Sequence, residues 1–199
     1  MDNNVYTKTY DAPIYDKREI YRYAGVSAPN GETERLLEEC LNELGDKLTY
    51  KVCYRELPVS VNDGVIDLGF AKTDSRSLLK ALDGCDSIVL FAASIGVGMD
   101  RLIARYSSLS PAKALLFQAI GTERIESLCD VFQSDIASVK AESGKNVRPR
   151  FSPGYGDLPL ELQRDVFNAL DCKKRIGLAL CESLLMTPSK SVTAIIGIG

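Results

Sequence analysis

The segment from Arg150 to Gly156 holds the residue types best suited to binding a charged ligand. It has the sequence Arg-Phe-Ser-Pro-Gly-Tyr-Gly. An arginine can pair with a carboxylate through two parallel hydrogen bonds, glycines allow a ligand to approach the backbone, and a tyrosine ring can face a cationic group. The spacing indicates a binding loop, with a surface turn around a buried tyrosine as the alternative interpretation.

A second candidate is the segment Ser94-Ile95-Gly96-Val97-Gly98, which lies between a predicted strand and a predicted helix. A glycine-rich turn at this place can present backbone N–H groups to an anion. The dinucleotide fingerprint would require a third glycine where the chain has Arg101, and no Gly-Lys-Ser/Thr follows, as a P-loop would require. We therefore favour a tight turn beneath a pocket over a phosphate site.

The chain has 199 residues and no histidine. This composition excludes Ser-His-Asp and Cys-His catalytic pairs, imidazole ligands to zinc, and histidine pH switches from this chain alone. Its six cysteines include no Cys-x-x-Cys pair, so we expect reduced and mostly buried thiols. Any catalysis must use other side chains or a bound cofactor.

Charge and hydropathy limit the kinds of partner that the protein could have. The net charge is -3 and the isoelectric point is about 5.2, which does not favour nucleic-acid binding. The longest apolar stretch, around residues 87–99, is too short to span a bilayer. The polar start of the chain lacks the apolar core of a secretory signal, so we expect a cytoplasmic protein.

Hydrophobic periodicity and the positions of glycine and proline predict the elements that must hold these segments. An irregular N-terminal arm is expected over residues 1–14. Helices are predicted over 16–24, 32–44, from 74 or 75 to about 84, 99–106, 111–141 with a bend or an interruption at Gly121, and from Pro159 onward. Strands are predicted over 48–59, 65–68, 87–93, 175–180 and 191–198, the last two as a terminal hairpin.

Two stretches in the C-terminal part of the chain together resemble a known family. Arg-x-x-x-Gly-Tyr at residues 150–155 is followed by a helix, Cys181-Glu182-Ser183, Met186-Thr187-Pro188 and Ser191-Val192. This order resembles the activation domain of cobalamin-dependent methionine synthase. The resemblance is most specific over residues 148–196, is looser upstream, and fits the small stand-alone relatives of that domain.

The resemblance implies a fold and a ligand. The fold would be an α/β (α+β), C-shaped single domain over residues 1–199, with a twisted, mainly antiparallel sheet flanked by helices. The ligand would be S-adenosylmethionine, with Arg150, Ser152, Gly154, Tyr155 and Glu126 at its site. Glu123 is the alternative register for the helical glutamate, and a solvated helix face is the alternative reading of Glu126.

If S-adenosylmethionine is the ligand, its charged groups give a hypothesis for the role of each residue. Arg150 would bind the ligand carboxylate, Glu126 the ammonium group, and Tyr155 with the loop backbone the adenosyl part or the sulfonium. Ser152 would lend a backbone contact. For the acidic ligand that the family carries near its N-terminus, Asp11 and Asp16 are both open. The chain departs from the family over residues 156–161, Gly-Asp-Leu-Pro-Leu-Glu, where the large enzymes have a stretch with cysteine and histidine.

The implied function is the reductive remethylation of cob(II)alamin as a separate reactivation subunit of cobalamin-dependent methionine synthase. Cobalamin would be bound mainly by the partner subunit, and a flavodoxin-type donor would supply the electron. The competing interpretations are a non-catalytic docking or regulatory module for another corrinoid methyltransferase and an unrelated enzyme that uses the Gly96 turn.

Overall fold

A four-stranded antiparallel sheet forms the centre of the computed structural model, which describes residues 4–199. Its strands, in spatial order, are β1 (Tyr6–Tyr10), β2 (Tyr50–Pro58), β6 (Ser87–Ser94) and β9 (Ser191–Ile198). All eight residues of β6 are buried, because a strand lies on each side and side chains cover both faces. An unbroken apolar run is typical of such a strand, and the predicted strand at 87–93 is confirmed.

The remaining elements surround this sheet. The helices are α1 (Lys17–Tyr23), α2 (Gly31–Leu44), α3 (Arg76–Ala81), α4 (Gly98–Leu109), α5 (Pro111–Ala141), α6 (Gln163–Leu170) and α7 (Cys172–Ile176), with a 3-10 turn at Leu160–Leu162. Two small antiparallel sheets comprise β3 (Ser60–Asn62), β4 (Val65–Asp67) and β5 (Lys72–Thr73), and β7 (Ala179–Leu180) and β8 (Met186–Thr187).

Each face of the central sheet has its own hydrophobic core. In β6, Val89 and Phe91 point into a core shared with α1, α2, α4 and α5. Their neighbours Leu90 and Ala92 point into a second core shared with α3, α6 and α7. Successive side chains of a strand point to opposite faces, so one strand serves both cores. The predicted mixed α/β class with a mainly antiparallel sheet flanked by helices is therefore confirmed.

Helix α5 is the longest element and runs without interruption from Pro111 to Ala141. The predicted interruption at Gly121 is wrong. A Cβ atom on Gly121 would lie 2.7 Å from Cγ of Met99 and 3.0 Å from Cε of Lys190. The glycine is therefore explained by the close approach of these neighbouring side chains, not by a break in the helix.

The N-terminal segment is more ordered than the sequence pattern predicts. Instead of an irregular arm over 1–14, the structure has β1, whose residues pair in register from Tyr6 opposite Tyr54 to Tyr10 opposite Tyr50. Residues 1–3 of that predicted arm lie outside the described residues. The strand follows from pairing with β2, a tertiary contact that its own polar and exposed sequence does not reveal.

The predicted terminal hairpin is also wrong. Residues 172–176 form helix α7, and the strand that follows, β7, is only two residues long and pairs with β8. Strand β9 pairs instead with β6, which is far away in sequence. Short apolar runs do not distinguish a strand from a helical turn, and the partner of a strand is set by the whole core.

Two further properties bear on the protein's environment. The six cysteines are free thiols, and four of them are buried, but Cys181 is exposed although it follows an apolar residue. Among residues 4–199, no helix has the length and apolar character needed to cross a bilayer.

Candidate ligand-binding site

The segment that carries Arg150 is fixed to the outer edge of β9. The backbone N–H of Arg148 donates to the carbonyl of Gly197 at 2.9 Å. Phe151 and Ile195 exchange both of their backbone hydrogen bonds, at 2.8 and 2.9 Å. Arg150 lies between these two anchors, so the sheet fixes the position from which its side chain extends.

The Arg150 guanidinium reaches across to two carboxylates on α5. Its Nη2 lies 2.7 Å from Oε2 of Glu126, and its Nη1 lies 2.7 Å from Oδ1 of Asp130. Burial alone would lower the pKa of Arg150, but the hydrogen bonds to Glu126 and Asp130 outweigh it and raise the pKa above its ordinary value. Glu126 and Asp130 are four residues apart on one helix, and this spacing places both on one face.

A small cavity of about 240 Å³ opens beside this cluster. Acidic groups dominate its lining, which comprises Asp16, Glu19, Tyr23, Glu123, Glu126, Ser127, Asp130 and Arg150. Two of the five carboxylates are neutralised by arginines outside the cavity, since Glu19 pairs with Arg22 and Glu123 pairs with Arg124. The cavity has three further carboxylates and one cation, which favours a ligand that carries positive charge.

Glu123 and Glu126 have different environments. Glu123 is 2 % exposed and pairs with Arg124, which is 0 % exposed. The backbone N–H of Asp16 and the hydroxyl of Ser127 also donate to Glu123, at 3.1 and 2.8 Å. The structure therefore places Glu126, and not Glu123, opposite Arg150, while Glu123 serves a buried network behind it.

This buried network attaches the N-terminal segment to α5. Arg124 donates to the carbonyl of Pro13 and, at 2.9 Å, to the carbonyl of Ile14. Its guanidinium also lies 4.0 Å from the ring centroid of Tyr15. Asp16 follows directly and caps α1 through the N–H groups of residues 18 and 19. The Glu123–Arg124 pair thus sets the position of the wall that Asp16, Glu19 and Tyr23 contribute to the cavity.

The predicted loop residues lie beyond this cavity. Gly154 has a φ of +86°, a conformation that side chains rarely adopt, and a Cβ there would lie 3.1 Å from Cδ1 of Leu160. Tyr155 is 72 % exposed and packs edge-to-face on Phe151 with ring centroids 5.8 Å apart, so the alternative of a buried tyrosine is wrong. The structure brings Arg150 and Glu126 together but leaves Ser152, Gly154 and Tyr155 outside the described lining.

Asp157 fixes the far end of the loop. Its carboxylate accepts hydrogen bonds from the Ser75 hydroxyl at 2.5 Å and from the N–H groups of Arg76 and Ser77 at 2.9 and 3.1 Å. These bonds, that from Ser75 foremost, hold the pKa of Asp157 well below its usual range. Asp157 lies in the stretch where the sequence departs from the family that it resembles. Its carboxylate binds the first N–H groups of α3.

The turn at residues 94–98 has a structural explanation. A Cβ on Gly96 would lie 2.5 Å from Oγ1 of Thr49, and one on Gly98 would lie 2.2 Å from the carbonyl oxygen of Lys47. Both glycines allow the turn to pack closely against the segment before β2. This finding agrees with the interpretation of a tight turn, and a cavity does lie beside it, lined in part by Val97 and Gly98.

Sequence reasoning missed several residues of the acidic cavity. Asp130 was detectable, since it lies one helical turn after Glu126 on a face with alternating acidic and polar residues. Asp16 was one of two open candidates for an N-terminal acid, and the structure places it in the lining, whereas Asp11 lines another cavity. Glu19 and Tyr23 gave no signal, because only tertiary packing brings α1 against α5.

Comparisons with known proteins give one family and one fold. Residues 78–198, more than half of the chain, match the family model described as the vitamin B12-dependent methionine synthase activation domain. No curated protein matches the chain by sequence. The crystal structure of the MetH reactivation domain bound to AdoHcy is similar in fold, with a TM-score of 0.71 and 15% sequence identity over 98% of this chain and 78% of that one.

Proposed function

The chain belongs to the vitamin B12-dependent methionine synthase activation-domain family, and on that basis we propose that it binds S-adenosylmethionine and supports the reactivation of a cobalamin-dependent methionine synthase. The single observation that carries the proposal is the Arg150–Glu126 cluster in an acidic cavity on α5. The structural relative was crystallised with AdoHcy, the demethylated form of the same ligand.

The charges of the cavity fit the amino-acid end of S-adenosylmethionine. That end carries one carboxylate, one ammonium and, close by, one sulfonium, so it has more positive than negative charge. Arg150 offers the fork geometry that suits a carboxylate. Glu126, with Asp16 and Asp130 nearby, offers carboxylates to the ammonium and the sulfonium. Arg150 and Glu126 would then exchange part of their mutual ion pair for contacts with the ligand.

The size of the cavity limits what it would hold. Its volume of about 240 Å³ is below the roughly 300–1,000 Å³ that is usual for pockets of small organic ligands. We therefore assign only the charged amino-acid end to this cavity. The adenosyl end would extend toward the loop at Ser152, Gly154 and Tyr155. In this loop, Gly154 and the aromatic ring of Tyr155 are exposed.

The remaining chemistry would come from partners. When bound, S-adenosylmethionine would supply the methyl group, and a flavodoxin-type donor would supply the electron, for the remethylation of cob(II)alamin held by the partner. The chain itself would bind and orient the methyl donor, and it has no histidine to ligate cobalt. The proposal includes a cytoplasmic location and one domain over residues 1–199, acting as a separate subunit.

The test is calorimetric titration of the protein with S-adenosylmethionine, alone and with a cobalamin-binding methionine synthase subunit. Arg150→Ala should weaken binding by about 1.5–3 kcal/mol for a lost charge-assisted contact, or roughly 10- to 150-fold in Kd. Arg148→Ala is the matched control, since Arg148 lies on the same segment but donates to the carbonyl of Asp83. No saturable heat under either condition, or equal affinities for the two variants, would contradict the proposal.

One observation favours a second candidate, a docking or regulatory module that retains the fold without the ligand. Both terminal nitrogens of Arg150 already pair with carboxylates at 2.7 Å, so a ligand must compete with Glu126 or Asp130. In that case, titration with the corrinoid subunit would give the same affinity with and without S-adenosylmethionine. The methyl-donor function predicts that the two bindings strengthen each other, because the ligand would then contribute to the complex.

A further inference from the structure

A second cavity, of about 500 Å³, lies where the segment after α2 meets the first turns of α4. Its lining shares no residue with the cavity at Arg150. Cationic and polar groups are provided by Lys47, Thr49, Arg101 and Arg105, and an apolar part is provided by Val97 and Leu102. A volume of this size is typical of pockets for small organic molecules.

The charge of this cavity is opposite to that of the first one. Three cations converge on it in a protein whose net charge is -3. Among residues 4–199, the carboxylate that contacts them is Glu43, which lies 3.1 Å from Nη1 of Arg105. The Lys47 ammonium donates to the backbone carbonyl of Glu43 and not to its carboxylate. The cavity therefore keeps an excess of positive charge.

Arg101 is the cation with most capacity for a ligand. Its side chain is exposed, lines the cavity, and forms no ion pair or hydrogen bond with another described residue. A guanidinium presents five N–H donors in a planar fork that matches phosphate and carboxylate oxygens. Arg105 has a neutralising partner but is still 63% exposed, so part of its donor set also faces solvent.

The side chains that line the cavity, and not the glycine turn, are the groups available to a ligand. Gly96 and Gly98 are explained by their packing against Thr49 and Lys47, so the turn does not need a phosphate to account for its glycines. Val97, which is 44% exposed, and Leu102 both line the cavity. An exposed apolar residue beside exposed cations suits a ligand with one anionic end and one apolar end.

We propose that this cavity is a second ligand site, which takes a small organic phosphate whose body is apolar or aromatic. Two guanidinium groups and one ammonium favour a dianionic phosphate over a singly charged carboxylate, because each added charge can accept a further charge-assisted hydrogen bond. The hydroxyl of Thr49 adds a neutral donor, and Val97 and Leu102 contact the apolar body. The site does not depend on S-adenosylmethionine binding.

The probe for this site is phenyl phosphate, titrated by calorimetry into the whole protein, with inorganic phosphate and phenol as its two halves. We expect saturable binding of phenyl phosphate that is tighter than that of either half and weakens as salt is added. Arg101→Gln should weaken it by about tenfold, the effect of one charge-assisted contact. The exposed position of Arg101 makes this variant compatible with folding.

Two control variants make the experiment decisive. Arg76→Gln removes the same charge from an exposed position on α3 and should leave the affinity unchanged. Arg150→Ala should also leave it unchanged, since Arg150 belongs to the other cavity. The proposal is wrong if phenyl phosphate gives no saturable heat, if Arg101→Gln and Arg76→Gln behave alike, or if only Arg150→Ala abolishes binding.

Discussion

At the scale of single residues, two arginines that contact α5 or lie on it have opposite environments. Arg124 is fully buried and satisfied by Glu123 and by backbone carbonyls, so it holds structure together. Arg150 is partly exposed and pairs with carboxylates at the rim of a cavity, so its partners can be exchanged. The surroundings of the two guanidinium groups therefore fit a structural role for Arg124 and the proposed binding role for Arg150.

The buried pair gives a prediction about stability. Replacing Arg124 by methionine leaves the Glu123 carboxylate buried without its partner, which typically costs about 3–5 kcal/mol. We expect the free energy of unfolding, measured by urea denaturation, to fall by about that amount. Arg35→Met, at an exposed site on α2, is the control and should change stability far less. Equal effects of the two substitutions would contradict a structural role for the buried pair.

Asp157 gives a prediction about pH. Its pKa in the folded protein lies below that in the unfolded chain, so its contribution is present above the unfolded value of about 3.9 and is lost as the pH falls below it. We expect the free energy of unfolding to decrease as the pH drops below about 4. Urea denaturation between about pH 3 and 7 should show a shallower decrease for Asp157→Asn.

Ser75→Ala provides the companion variant, because the Ser75 hydroxyl is the first among the groups that hold this pKa down. It should reproduce part of the change in slope. If Asp157→Asn keeps the wild-type slope, the hydrogen bonds at the start of α3 do not set the acid sensitivity.

At the scale of elements, glycine positions show where backbone segments meet. Gly98 begins α4 within reach of the Lys47 carbonyl, whereas Gly31 begins α2 with no heavy atom within 4 Å of the place where a Cβ would lie. Both open a helix, so the sequence pattern treats them alike. Only the packing of α4 against the segment before β2 distinguishes them.

This contrast gives a matched pair of substitutions. Gly98→Ala would place its Cβ 2.2 Å from a backbone oxygen, and overpacking of this kind typically costs about 1–3 kcal/mol. Gly31→Ala should instead be neutral or stabilise by about 0.4–1 kcal/mol, since it reduces the freedom of the unfolded chain. Thermal and urea denaturation of both variants would measure the difference, and a tolerated Gly98→Ala would refute the close packing of this turn.

At the scale of the whole molecule, β1 closes one edge of the central sheet. It pairs with β2 over five residues, and Tyr6 stacks on Tyr54 with ring centroids 5.6 Å apart. The same N-terminal segment continues to Asp16, which lines the acidic cavity. One stretch of chain therefore forms the edge of the sheet and also contributes to the lining of the candidate site.

Removal of residues 1–10 tests this link. The deletion would expose the backbone N–H and C=O groups of β2, and an exposed edge favours pairing between molecules. We expect a lower melting temperature and a shift toward larger species in size-exclusion chromatography with light scattering. Deletion of residues 1–4 leaves β1 in place and is the control. A monomeric truncated protein with an unchanged melting temperature would show that β1 is dispensable.

Much of the local structure could be predicted from the sequence. Asp16 and Gly25 bracket α1, Ser110 and Pro111 begin α5, and the apolar run of β6 marks the central strand. These signals are reliable because each acts within a few residues of chain. The Arg-x-x-x-Gly-Tyr motif at residues 150–155 likewise made Arg150 a candidate, because such a motif lies within one short loop.

The tertiary structure alone decided the rest. The polar strand β1, the pairing of β9 with β6, and the meeting of Asp16, Glu126 and Arg150 all join segments far apart in sequence. Such contacts form because the two cores select one arrangement of the elements, and no local pattern encodes that choice. The sequence by itself thus determined helices α1 to α6 and the central strand, while burial and packing determined α7 and which charges face each other.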